Sequence, residues 1–96
     1  MLILVTYDVA INTESGQKRL RRVARQCLNY GRRVQNSVFE CIINEAQFVS
    51  LKASLTKIIN PKTDSILIYI LGKNWRRNIV RLDCETTYDV EDTLIV

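Results

Sequence analysis

Met1-Leu2-Ile3-Leu4-Val5-Thr6-Tyr7-Asp8-Val9 opens the chain. The run is apolar and β-branched at Ile3, Val5, Thr6 and Val9, with the length of one strand, so it predicts a strand buried on both faces at the centre of a small sheet. Tyr7 and Asp8 break the run where the chain leaves the core. A carboxylate is costly to desolvate without a partner, so at the tip of a buried strand it is expected to project into a rim or cleft. Asp8 is therefore the first candidate for chemistry, set against the plainer reading of a strand-end cap or a salt-bridge partner.

Outward from this strand, Ala10 to Gly16 reads as a turn-rich loop. A helix is predicted from Gln17 to Tyr30: Ser15 is its candidate cap, Leu20, Val23, Ala24, Cys27 and Leu28 recur at helical spacing, and Gly31 stops it. At about 100° per residue, Lys18, Arg21, Arg22 and Arg25 share the face opposite the apolar stripe. With Arg19, Arg32 and Arg33, that makes seven bases and no acid between Gly16 and Arg33. A solvated face would normally interleave Glu as a helical partner, so an unbroken basic run points to an anion-binding face.

Arg33 to Ile43 is extended, with Asn36-Ser37 marking a bend that divides it into two strands. A second helix is predicted from Glu45 to Ile59, capped by Asn44, stopped by Asn60-Pro61 and apolar along Phe48, Leu51, Leu55, Ile58 and Ile59. Asp64-Ser65 then leads into Ile66 to Gly72, a second strongly apolar strand that should lie beside the first. The order strand, helix, strand, strand, helix, strand is α+β and ferredoxin-like: a four-stranded antiparallel sheet with two helices on one face. Residues 1–72 form this core. Residues 73–96 hold a basic cluster of Lys73, Trp75, Arg76 and Arg77, a short possible strand from Ile79 to Leu82, an acidic stretch and the apolar ending Leu94-Ile95-Val96. A sheet of this kind leaves edges unpaired, and a tail strand from a second copy would cover one, so a symmetric homodimer is expected.

The totals bound the function. Ninety-six residues at 47% hydrophobic content suffice for one domain with its own core. Neither apolar run is long enough to span a bilayer and no basic leader precedes the first, so a cytoplasmic protein with no membrane attachment is expected. Cys27, Cys41 and Cys84 are odd in number and form no CxxC pair, which suggests reduced buried thiols rather than a disulfide framework or zinc site. There is no histidine, which excludes imidazole bases and Ser/His or Cys/His nucleophilic machinery. Any catalysis must use carboxylates, cations, hydroxyls or a bound hard cation. The net charge of +4 conceals a division: the five acids from Asp83 onward face no base, and all fourteen Lys and Arg lie in residues 1–82 with five acids, giving that part +9. A basic body implies a polyanionic partner.

The strand ending Tyr7-Asp8-Val9, the helix Arg19-Leu20-Arg21-Arg22-Val23-Ala24, and Gly31 followed by Arg33-Val34-Gln35-Asn36-Ser37-Val38-Phe39-Glu40 together resemble the CRISPR-associated Cas-two proteins, the small partner of the spacer-acquisition integrase. The resemblance covers nearly the whole chain, and the Glu91-Asp92-x-Leu94-Ile95 ending looks like the branch associated with subtype I-C systems. It implies a homodimer whose two Asp8 carboxylates face one another across a cleft, share one Mg²⁺ (or Mn²⁺) and support phosphodiester cleavage. One carboxylate is a poor site for a hard cation, whereas two converging ones with waters and phosphate oxygens suffice.

Tyr7, Arg22, Arg33, Ser37 and Phe39 match family positions associated with nuclease activity or with the site's architecture. Arg22 and Arg33 would hold phosphates, Ser37 would bond a phosphate or brace the bend, and Phe39 would pack beneath the cleft; a purely structural role, with Phe39 as core, is the plainer alternative. The resemblance further implies that the dimer is sandwiched between integrase dimers along duplex DNA, contacting backbone rather than bases through Lys18, Arg19, Arg21, Arg22, Arg25, Arg32, Arg33, Lys73, Arg76 and Arg77. The acidic tail would dock the integrase. Two classes stay open: a metal-dependent endonuclease acting on RNA or double-stranded DNA, and a non-catalytic DNA-binding scaffold in which Asp8 is dispensable. An RNA-recognition module shares the chain order but its third-strand signature is absent, and seven unpaired bases are unexpected in a ligand-binding regulatory domain.

Overall fold

The computed structural model describes residues 1–80 and residue 82. Its elements follow the predicted order: β1 (Leu2–Asp8), α1 (Glu14–Leu28), β2 (Gly31–Gln35), β3 (Val38–Ile42), α2 (Glu45–Ile58) and β4 (Ser65–Gly72), then a 3₁₀ turn at Trp75–Asn78. The strands form one antiparallel sheet ordered β2-β3-β1-β4, so the two apolar runs are neighbours, as their composition demands. The architecture is ferredoxin-like. Val5 pairs with Phe39 on one side of β1 and with Ile68 on the other, and the Asn36-Ser37 turn divides the extended segment where the bend was read.

Side chains alternate across the sheet, so one residue in two along β1 meets the helices. Ile3, Val5 and Tyr7 point to that side and join Val23, Ala24, Cys27, Phe39, Cys41, Leu51, Leu55 and Ile58 in the main core. Among the described residues, the other face is covered at one end only, where Leu2 packs on Trp75 with Ile42, Leu71 and Ile79. Burial on both faces of β1 therefore holds at Leu2 but not beyond it: Leu4 and Thr6 are half-buried and Asp8 is exposed. Among the described residues that side carries the 3₁₀ turn Trp75–Asn78 and no α-helix, so burial is one-sided along most of β1.

The helix boundaries also shift. Thr13, not Ser15, caps α1: its hydroxyl oxygen accepts from the Gly16 amide at 3.0 Å, which starts the helix at Glu14. Gly16 thereby belongs to the first turn, pressed so close to the loop that a Cβ would stand 1.8 Å from the Ala10 carbonyl oxygen. Gly31 opens β2 rather than ending the helix, which is capped at Asn29; a Cβ there would meet the Glu40 carbonyl oxygen at 1.8 Å. Asn44 caps α2 as expected, its Oδ1 accepting from the Gln47 amide and its own amide donating to Gln47 Oε1, which completes a capping box.

Ile79 and Val80, at the start of the possible fifth strand, carry no strand. The acidic stretch, Cys84, the tail expected to complete a dimer and the Glu91-Asp92-x-Leu94-Ile95 ending lie outside the described residues. Among the described residues, no helix is long and apolar enough to cross a membrane.

Candidate functional site

Asp8 ends β1 opposite Ser65 on β4, on the face of the sheet opposite the two α-helices. Along that face run Leu4, Thr6, Val38, Leu67 and Tyr69, the last two 58% and 51% exposed. Toward its far end a concavity of about 440 Å³ is lined by Leu2, Leu4, Glu40, Tyr69, Leu71 and Ile79. Ser37, on the adjoining hairpin turn, is held against the strand tip by a 2.9 Å bond from the Tyr7 amide to its carbonyl oxygen. The fold thus brings Asp8 and Ser37 to one rim.

Tyr7 is immediately beside Asp8 in sequence yet on the opposite side of the sheet. It is 2% exposed, and its hydroxyl donates to Asp64 Oδ2 at 2.5 Å. Burial, then the bond to Asp64, pushes the phenol up to about 12. Asp64 also accepts from Arg19 Nε at 2.7 Å and Nη2 at 3.2 Å, from the Asn60 amide at 3.0 Å and from the Thr63 hydroxyl at 3.1 Å. Burial alone would raise its carboxyl; the bonds from Arg19, Tyr7, Asn60 and Thr63 outweigh it and hold the group well below the usual carboxylate range. The Arg19 guanidinium is in turn raised, chiefly by its bond to Asp64.

Phe39 is wholly buried in the main core, and the Arg33 guanidinium lies 5.3 Å above its ring. Arg33 lines a shallow depression of about 390 Å³ with Arg21, Arg25, Leu28 and Asn29. Arg22 lines a second one of about 210 Å³ between α1 and α2, with Arg25, Gln26, Ser54 and Lys57. The two share Arg25, so a cationic surface runs over the helix layer, with the sheet between it and Asp8.

The structure therefore divides the sequence-derived set. Asp8 and Ser37 stand at one rim, Arg21, Arg22, Arg25 and Arg33 cluster on the helix side, and Tyr7 and Phe39 are interior. Lys18, Lys73 and Arg77 are exposed, and Arg76 packs 4.9 Å over the Trp75 ring. Two of the seven bases read as unpaired have acids after all: Arg19 meets Asp64, and Arg32 meets Glu40 at 3.3 Å. Asp64 is 45 residues from Arg19 and Glu40 pairs with Arg32 across the β2–β3 hairpin, so helical spacing does not reveal either partner. Lys57, Ser54 and Asp64 were not singled out; Lys57 and Ser54 join the groove only because α2 packs beside α1.

As a cation site, one chain offers Asp8 alone: among the described residues, no group of three or more acidic or thiol side chains could hold a metal. A hard divalent ion that takes about six oxygen ligands fits this rim only if carboxylate comes from elsewhere, as a second copy of Asp8 would provide.

The family profile described as "CRISPR associated protein Cas2" matches residues 1–79. The CRISPR-associated endonuclease Cas2 of Halalkalibacterium halodurans is 50% identical over 95 residues, covering 99% of each chain. The CRISPR-associated endoribonuclease Cas2 of Chlorobaculum tepidum is 48% identical over 96 residues, covering 100% of each. A crystal structure of Streptococcus pyogenes Cas2 at pH 6.5 superposes with a TM-score of 0.79 and 58% identity, covering 86% of this chain and 100% of that one.

Proposed function

This chain belongs to the CRISPR-associated Cas2 family, and on that premise we propose that it is a metal-dependent endonuclease that hydrolyses phosphodiester bonds in RNA or duplex DNA, with Asp8 as its principal carboxylate. The relatives' names support the reaction class, one being an endonuclease and another an endoribonuclease. The observation that carries the reading is the disposition of Asp8: exposed at the end of an inner strand, on the face opposite the two α-helices. Leu67 and Tyr69 make that face apolar enough to receive a second copy, whose Asp8 would arrive at the same rim.

Mg²⁺ or Mn²⁺ shared by the two carboxylates would supply Lewis-acid charge and a bound water of lowered pKa. The rest falls to the chain. Asp8 provides the anionic oxygens, Ser37 a hydroxyl on the neighbouring turn, and Arg21, Arg22, Arg25, Arg33 and Lys57 charge-assisted bonds to backbone phosphates. The subtype I-C placement belongs to the same proposal and rests on the sequence of the tail alone.

One observation favours the second reading, a scaffold in spacer acquisition. The cationic depressions lie on the helix layer, so a duplex could be gripped there, with the integrase partner alongside, without passing Asp8. Asp8→Asn separates the two: loss of metal-dependent cleavage with duplex binding intact supports the enzyme, and unchanged cleavage refutes Asp8 as its carboxylate. Wild-type protein that cleaves neither RNA nor duplex DNA would leave the scaffold alone standing.

A further inference from the structure

We propose that Arg19 and Asp64 are positioning residues for Asp8, acting through Tyr7, and that Arg19 takes no part in gripping nucleic acid; the inference rests on the nuclease reading above. Asp64 sits in the loop between α2 and β4, with its side chain wholly shielded from solvent. It ties three separate parts of the chain together: Tyr7 at the tip of β1, Arg19 on α1, and Asn60 and Thr63 in its own loop. A buried carboxylate is seldom the most stabilising way to fill a core, so a fully bonded one marks a place where direction matters more than affinity for the interior.

The direction here is that of Tyr7. Its hydroxyl is held by Asp64 and its amide by the Ser37 carbonyl, so the residue is fixed at both ends. Strand periodicity then sets the next residue: with Tyr7 held inward, Asp8 must project from the open face, and the hairpin turn bearing Ser37 is drawn to the same rim. Arg19 commits its Nε and Nη2 donors to this carboxylate and its side chain is only 17% exposed, so it is turned inward rather than presented to a phosphate. Tyr7 influences the site from beneath without touching substrate.

Tyr7→Phe tests this, because it keeps the ring and removes only the hydroxyl, and Arg19→Ala is compared with Arg22→Ala. Backbone amide exchange, cleavage kinetics and the salt dependence of duplex binding are read together. Tyr7→Phe is expected to speed amide exchange at positions 7 to 9 about tenfold while Leu4 stays protected, and to lower kcat about tenfold at unchanged KM. Arg19→Ala should do the same and keep the wild-type salt slope, whereas Arg22→Ala should reduce that slope by about one per bound protomer and leave exchange at the strand tip alone. Unaltered exchange in Tyr7→Phe, or an Arg19→Ala slope reduced as much as that of Arg22→Ala, overturns the proposal. Should the wild type cleave nothing, the nuclease reading falls by itself, and the exchange and salt comparisons still decide this one.

Discussion

Tyr7 and Asp8 are consecutive on one strand and live in opposite worlds. On the helix side, Tyr7 is 2% exposed and its hydroxyl joins a network of Asp64, Arg19, Asn60 and Thr63. On the open side, Asp8 is exposed on a face whose apolar groups, Leu67 and Tyr69, are half uncovered. Beneath the helices the interior is finished, its buried polar groups bonded to one another. The open side is unfinished, and unfinished surface is where a partner or a substrate can contribute. A period of two divides these roles between neighbours in sequence.

The hardest blow to the closed side is Asp64→Ala, which strips a buried network of its acceptor. It is expected to cost about 3 kcal/mol and to lower Tm on the order of 15 °C by calorimetry. Asp8→Asn should separate the two sides most cleanly: cleavage falls about 100-fold or more, equivalent to about 2.7 kcal/mol of transition-state stabilisation, with Tm within ~2 °C of wild type. An Asp8→Asn protein that melts early would mean that the open side is structural too.

The pH dependence of stability belongs to the closed side. The Tyr7 phenol is raised from 10.0 to about 12, so the protonated form is favoured in the fold. Its contribution is whole below pH 10 and disappears as pH rises toward 12, about 2–3 kcal/mol in all. Urea titrations over that window should show the decline in wild type and not in Tyr7→Phe. Asp64 has the opposite sign: its lowered carboxyl stabilises the fold above the ordinary carboxylate range, and that contribution fades as pH falls below about 4, a limb absent from Asp64→Asn.

On the open side, Leu67→Glu places a charge where a second copy would sit. Sedimentation should report a shift from dimer toward monomer, with monomer stability changed by less than about 0.5 kcal/mol because Leu67 is already 58% exposed. A wild-type monomer at high concentration would remove the second Asp8 and refute the proposal of a cation held between two copies. The smallest expected effect is that of Arg22→Ala: duplex affinity declines, and the logarithmic salt slope drops by about 0.9 for each phosphate left without its cation.

The sequence alone, through two adjacent apolar runs, two capped amphipathic helices and the Asn36-Ser37 bend, determined the order of elements, the antiparallel sheet and the prominence of Asp8, because hydrophobic periodicity and turn chemistry are local properties. Its motif from Arg33 to Glu40 was specific enough to reach the family. Which charges are spent inside the fold was settled by packing: Arg19 against Asp64, forty-five residues away, and Arg32 against Glu40 across a hairpin. Likewise, that Lys57 and Ser54 complete the groove of Arg22, and that the basic surface lies across the sheet from Asp8, follow from how α1 and α2 pack. Pairing between distant residues leaves no periodic trace in a single chain, so the roles of the arginines could be read only once the helices were laid upon the sheet.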